Sequence, residues 1–285
     1  MADHVMMVFN NHSLNENYLS EDEIKAKCPF AYATAPTNPN LSDKYVQANT
    51  STVINDMAKL GWFPIDAKQK RARKNSNGIR SFHMIAFQNP DVKVYQGDDI
   101  EAYPRIILTN SHDGLASFRF RVALFRCICS NGLVIADENF EDLTIRHINY
   151  TFEDLRHLVE KTLRSLPEYI NIMNNMKRTN LNKEQKYDFA LKMLKIRKNV
   201  DENENLNVSE STLVDILTPV REEDKGDSLW NVFNVLQEKM IRGGSMVETG
   251  KENKMRKLRP VKSFARDLAV NWKMFDTAKT YLDVA

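Results

Sequence analysis

Six side chains have the types that catalysis uses: His83, His112, Asp113, Arg126, Cys129 and His147. Imidazoles move protons, a thiol is a nucleophile, and a carboxylate can orient either. Three of them fall at core-facing parity in strand-like sequence. His83 alternates with Ile85 and Phe87, Arg126 with Leu124 and Ile128, and His147 with Leu143 and Ile145. A buried polar group needs partners. Each of the three therefore predicts either a structural network or the lining of a site. Convergence in one pocket would favour an enzyme acting on nucleic acid or a small molecule. Dispersal would end that reading.

A second chemistry is phosphate binding. Lys68, Lys70, Arg71, Arg73, Lys74 and Arg80 lie within thirteen residues, with Asp66 as the nearby acid. They predict a basic finger. Lys254, Arg256, Lys257 and Arg259, flanked by Lys251 and Lys262, form a second cluster in an expected loop before a helix. Arg119 and Arg121 share one face of a long strand, ~7 Å apart, close to the phosphate spacing along a nucleic-acid strand. The plainer reading of all three is a solvated surface, with the arginines paired to neighbouring acids. Trp62, Phe63 and Phe82 stand near the first cluster, and Phe264 and Trp272 near the second. They could be stacking platforms, although core packing is the simpler role.

Other chemistries are not signalled. The chain has no phosphate loop, dinucleotide fingerprint, zinc-spaced Cys/His set, helical His-Glu-x-x-His or Gly-x-Ser-x-Gly elbow. No cofactor or metal is therefore expected. Net charge over 285 residues is only +2, so binding to nucleic acid must come from local patches. Hydrophobic residues at 42% and charged residues at 27% describe a globular protein with a sizeable core. Three cysteines (Cys28, Cys127 and Cys129) give no disulfide framework and fit a reducing compartment. With no signal sequence and no apolar run near the ~20 residues of a membrane span, the expected location is the cytoplasm and no membrane partner is expected.

Periodicity predicts the elements that carry these residues. Residues 1–49 read as an irregular arm, in which Ser20 and Glu23 could cap a short helix. A helix from Thr50 ends at Gly61, and a hairpin follows. Residues 88–103 read as a loop with a weak helical piece. A strand at 105–110, the Asp113-Gly114 turn and a long strand at 115–130 come next, then short strands at 133–136 and 143–148. From Thr151 the period becomes helical, with Pro167 expected to interrupt the first helix. Further helices are expected at 168–178, 183–198, 210–217, from about 228 to Gly243, and at 261–282. The fold class is α+β, with an antiparallel sheet of hairpins in the N-terminal half packed with a mostly helical C-terminal half. Residues 50–150 form the strand-rich core, and 151–285 the helical region, either separate or part of the same domain.

The stretch Asn110-Ser111-His112-Asp113-Gly114, then Arg126, Cys129-Ser130-Asn131-Gly132-Leu133 and Arg146-His147, resembles a phage/plasmid-like family known as domain of unknown function 932. The approach through Leu60-Gly61-Trp62, Gln69 to Arg73 and Phe82-His83 is similar too, as is Leu229 to Asn234 with Glu238 and Gly243. The resemblance covers roughly residues 30–245. It implies a mobile-element origin and a place among replication and recombination genes. It supplies no reaction. A DNA-binding accessory protein, acting in single-strand annealing or recombination and binding single-stranded DNA, is the leading expectation, with a homo-oligomer as a corollary. The rivals are the His/Arg/Cys enzyme and a counter-defence module that binds a host protein.

Overall fold

The computed structural model describes residues 18–36, 38, 41, 47–70, 81–96, 99–114, 118–126, 132–135, 144–145, 151–201, 203–249 and 254–282. The chain divides into two compact units, Met1–Pro167 and Glu168–Ala285. The N-terminal half carries an antiparallel sheet and the C-terminal half is mostly helical, an α+β protein.

The first unit is built on β1 (Phe63–Gln69), β2 (His83–Gln88), β3 (Val94–Gln96), β4 (Asp99–Asn110), β5 (Phe118–Arg126), β6 (Gly132–Ile135) and β7 (Thr144–Ile145). Its order is β1-β2-β4-β5-β6, with β3 beside β4 and β7 beside β5. The twelve-residue β4 is the spine. It contains Pro104, which cannot donate to a ladder. The residue sits where it is tolerated: β2 pairing ends at Arg105, and β3 pairing begins at Ala102. Residues 88–103, expected as a loop with a helical piece, instead supply β3 and the first half of β4. The Val94 and Tyr95 pair that β3 offers is too short for periodicity to reveal, and the pairing to β4 creates the strand.

Register decides which side chains share a face. Ala67, Ile85, Leu108 and Phe120 lie in one row, and all are buried. Lys68, Met84, Thr109 and Arg119 lie in the next row, on the opposite face. Phe118, Phe120 and Leu124 are buried together while Arg119 is exposed, as the alternation along β5 predicts.

Helix α1 (Glu21–Lys27) starts on a capping box in which Ser20 and Glu23 bond each other's backbone. Together with the short turn Pro29–Tyr32 it lies along the outer edge of β1. Leu19 N donates to Pro64 O at 2.8 Å, and Phe30 N to Gln69 Oε1 at 3.0 Å. Part of the N-terminal arm thus protects an edge strand of its own chain. Helix α2 (Thr50–Lys59) buries Val53, Ile54 and Met57, and Gly61 follows with φ +80°.

Helix α3 (Phe152–Arg178) runs unbroken through Pro167, where an interruption was expected. Proline removes one hydrogen bond of the helix. The turns on either side bury Leu158, Leu166, Tyr169 and Ile170, and that packing outweighs the loss.

The second unit holds α4 (Lys183–Lys198), α5 (Glu210–Leu217), α6 (Leu229–Arg242), the hairpin β8 (Met246–Thr249) and β9 (Lys254–Lys257), and α7 (Phe264–Lys279). Its core centres on Phe233, stacked at 6.2 Å on Trp230 and edge-on at 6.3 Å to Phe275. Asn231, Asn234 and Glu238, which share a side of α6 in sequence, are each bonded elsewhere: to Lys225 O, to Trp230 O and to Arg221. No described helix is long and apolar enough to cross a membrane.

Gly243 closes α6 with φ +71°, and a Cβ there would meet Leu258 O at 2.4 Å. Gly243→Ala is therefore expected to destabilise the protein by about 2 kcal/mol. A thermal melt checks this, and an unchanged melting temperature would contradict it.

Candidate functional site

The first unit gathers polar side chains where β2 begins and β4 ends. His83 pairs directly with Asn110 in the sheet register. Thr50, Ser81, His83, Asn110, Ser111 and His112 are all 0% exposed, and Asp113 is 2% exposed. Each hydrogen bond constrains the next. Ser81 O can only accept, so its 2.6 Å contact places the proton on His83 Nδ1. His83 Nε2 must then accept, and Thr50 Oγ1 donates to it at 2.8 Å. Asn110 Nδ2 in turn donates to Thr50 Oγ1 at 2.9 Å and to Ala48 O at 3.1 Å, while Asn110 Oδ1 accepts from Ser111 N.

The turn after β4 is tied to the same cluster. Asp113 accepts from Ser111 Oγ and, at 3.3 Å, from Ser81 N. His112 N donates to Ser81 Oγ at 2.7 Å. The His83 and His112 rings lie 5.1 Å apart. Gly114 completes the turn at φ +74°, the positive φ that Asp-Gly predicts.

Of the six catalytic candidates, His83, His112 and Asp113 thus come together. Arg126 does not join them. It pairs with Ala102, eight residues from Asn110 along β4, or about 27 Å away. Its core-facing parity is common to the whole strand and carries no information about which end of the sheet it occupies. Cys129 and His147 lie outside the described residues. Thr50 and Ser81 were not picked out in the sequence. Ser81 shares parity with His83, and that was the signal available. Thr50 Oγ1 and His83 Nε2 have the relation of a hydroxyl and its base, but both residues are sealed from solvent. The arrangement as it stands is a hydrogen-bonded truss joining α2, β2, β4 and the turn at 111–114. Cys28, also buried, has its thiol pushed up to about 12 by desolvation, far from a reactive thiolate. Among the described residues no His/Cys/Asp/Glu group could hold a metal ion.

The cationic candidates divide differently. Arg71, Arg73, Lys74 and Arg80 lie outside the described residues. Lys70 is exposed, and Lys68 is exposed and paired to Asp66 at 2.8 Å. Arg119 is exposed on β5, and Arg121 is half-buried on the same face. Arg121 Nη1 donates to Thr109 Oγ1 at 3.1 Å. Among the described residues no carboxylate lies within 4.0 Å of either guanidinium. The pairing with neighbouring acids that sequence allowed is not made among the described residues. Burial, and next the Arg119 charge, lower the Arg121 pKa. The middle of that sheet face is covered, with Met84, Ala86, Ile107 and Thr109 only 2–4% exposed, so the two arginines stand at its margin and do not line an open platform.

Arg256, Lys257 and Arg259 are exposed, and the Lys254 side chain is not among those described. Residues 254–257 were expected as loop; they form β9, because the Lys-Met-Arg-Lys alternation finds a partner in β8.

The truss predicts an acid sensitivity. Burial, opposed by the bond to Ser81 O, holds the His83 pKa down at about 4, against an ordinary 6.5. The unfolded chain binds this proton as pH falls below 6.5, while the folded chain does not until about 4. Stability is therefore whole above 6.5 and is lost as pH falls from 6.5 towards 4, by about 3 kcal/mol at the lower limit. Melts between pH 6.5 and 5, where most carboxylates are still ionised, should fall less steeply for His83→Gln than for wild type. Parallel slopes would contradict this.

The family described as Domain of unknown function (DUF932) matches residues 40–269. Two proteins of Escherichia coli (strain K12), UPF0380 protein YfjQ and UPF0380 protein YafZ, are each 26% identical to this chain over 279 residues, covering 93% of it and 93% of their own length. No solved structure matches. The match takes in the polar truss, β5 with its two arginines, and the basic hairpin, and the chain belongs to the DUF932 family.

Proposed function

We propose that the chain is a nucleic-acid-binding accessory protein that takes single-stranded DNA in a DNA transaction such as annealing or recombination. The observation that carries this reading is the Arg119–Arg121 pair. Two like charges on one face of one strand repel, and burying one of them raises its cost further. Folded proteins ordinarily offset such a pair with a carboxylate, and none is within reach among the described residues. Thr109 Oγ1 fixes the Arg121 guanidinium, and no described residue compensates its charge. A phosphate would relieve both the repulsion and the desolvation, and guanidinium groups bind phosphate bidentately.

The spacing suits a strand of nucleic acid, since residues two apart are ~7 Å apart. The resemblance to a phage/plasmid-like family supports the same direction. An annealing role would further require self-association. The sealed truss, by contrast, offers no exposed group to a substrate, so the enzyme reading has less support.

Replacing both arginines tests the reading. Arg119→Ser with Arg121→Ser is expected to weaken binding of a short single-stranded oligonucleotide by about tenfold, the loss of two phosphate contacts. Its melting temperature should not fall, because no ion pair among the described residues is removed. Binding equal to wild type in a variant that melts normally would overturn the proposal.

A further inference from the structure

The second unit carries a surface of its own that combines charge with exposed apolar side chains. In the β8–β9 register Met246 opposes Lys257, and Glu248 opposes Met255. Directly opposed residues share a face, so Met246, Lys257 and Met255 stand together, the two methionines as diagonal neighbours about 7–8 Å apart. Each methionine is 44% exposed, while most other large apolar side chains of this unit are buried. Lys257 is exposed on their face, Arg256 is exposed on the other face opposite Val247, and Arg259 and Lys262 are exposed in the segment that follows β9. Among the described residues no carboxylate comes within 4.0 Å of any of these four.

The hairpin is firmly seated. Val247 is 2% exposed. Glu248, on the methionine face, is 8% exposed because the start of α5 covers it: it accepts from Ser209 N at 3.1 Å and from Ser209 Oγ. Lys198 Nζ donates to Glu248 O. Gly244 N donates to Leu258 O at 2.9 Å, and Leu258 N to Ser245 O at 2.8 Å, closing its base. A rigid anchor of this kind holds the outward side chains in place before any ligand arrives.

We propose that this hairpin is a base-contacting element for single-stranded nucleic acid, with Met246 and Met255 against unstacked bases and Lys257, Arg259 and Lys262 on the backbone. The proposal rests on the nucleic-acid reading above and adds to it a second surface and a preference for open strands. Cations alone would hold single and double strands alike. The methionines make the difference. Thioethers contact aromatic faces favourably and tolerate any base, because the side chain is unbranched and adaptable. Bases inside a duplex are stacked and offer them nothing, whereas those of a single strand are free to be covered. The cations near the patch, which pair with no described carboxylate, are complementary to a polyanion and would repel a basic protein partner.

The test uses the full chain and fluorescence anisotropy with three labelled DNAs of equal length: a single strand, its duplex, and a single strand of abasic sites. Wild type should bind the intact strand more tightly than the abasic one. Met246→Ser with Met255→Ser, both exposed and so compatible with folding, should lose roughly three- to tenfold on the intact strand. It should bind the duplex and the abasic strand as wild type does. Lys257→Glu should weaken all three. Equal wild-type binding to intact and abasic strands, or an equal loss on both in the methionine variant, would overturn the proposal and leave the arginine reading standing. Failure of wild type to bind any of the three would overturn both.

Discussion

His83 makes two hydrogen bonds with no water to replace them, and each has a fixed direction. Its Nδ1 proton is held by Ser81 O, so its Nε2 can only accept, and Thr50 must donate. Asn110 then orients Thr50 and, through its own carbonyl, the first residue of the next turn. Removing any one partner would leave a buried polar atom unsatisfied, at about 1–3 kcal/mol. The chain of bonds therefore specifies one register between β2 and β4. A slip by a single residue would also turn every side chain of the strand to the wrong face.

The basic surface shares β4 with the truss. Asn110 pairs with His83 across β2, while the adjacent Thr109 pairs with Arg119 across β5, where its hydroxyl accepts from Arg121. The truss and the arginine contact thus rest on consecutive residues of one strand that face opposite ways. A strongly perturbed histidine is often a sign of an active site. Here its cause is desolvation inside a structural network, and the cations that pair with no described carboxylate lie elsewhere, on β5 and around β9.

Much of this was legible from alternation. The faces of β5, the buried parity of His83, the capping box at Ser20 and the Asp113-Gly114 turn all follow from local chemistry, and the structure keeps them. What was not legible depends on long-range pairing. Val94–Gln96 is a strand because β4 lies beside it, and Lys254–Lys257 because β8 does. Pro167 breaks a helix in isolation, but burial of the flanking turns holds it together. Arg126 could not be separated from the histidines by parity, which places a residue on a face and says nothing of its position along the sheet. The exposure of Met246 and Met255 on one face was equally hidden, since the stretch reads as a loop and only the β8–β9 pairing gives it faces.

The salt dependence of single-strand binding tests the central claim most directly. Each neutralised phosphate contributes about 0.7 to the slope of log affinity against log salt for single strands. If Arg119 and Arg121 hold phosphates, the double serine variant should show a slope shallower than wild type by about 1.4, the sum of two such contacts. Equal slopes for the two proteins, or a wild-type affinity indifferent to salt, would contradict the account.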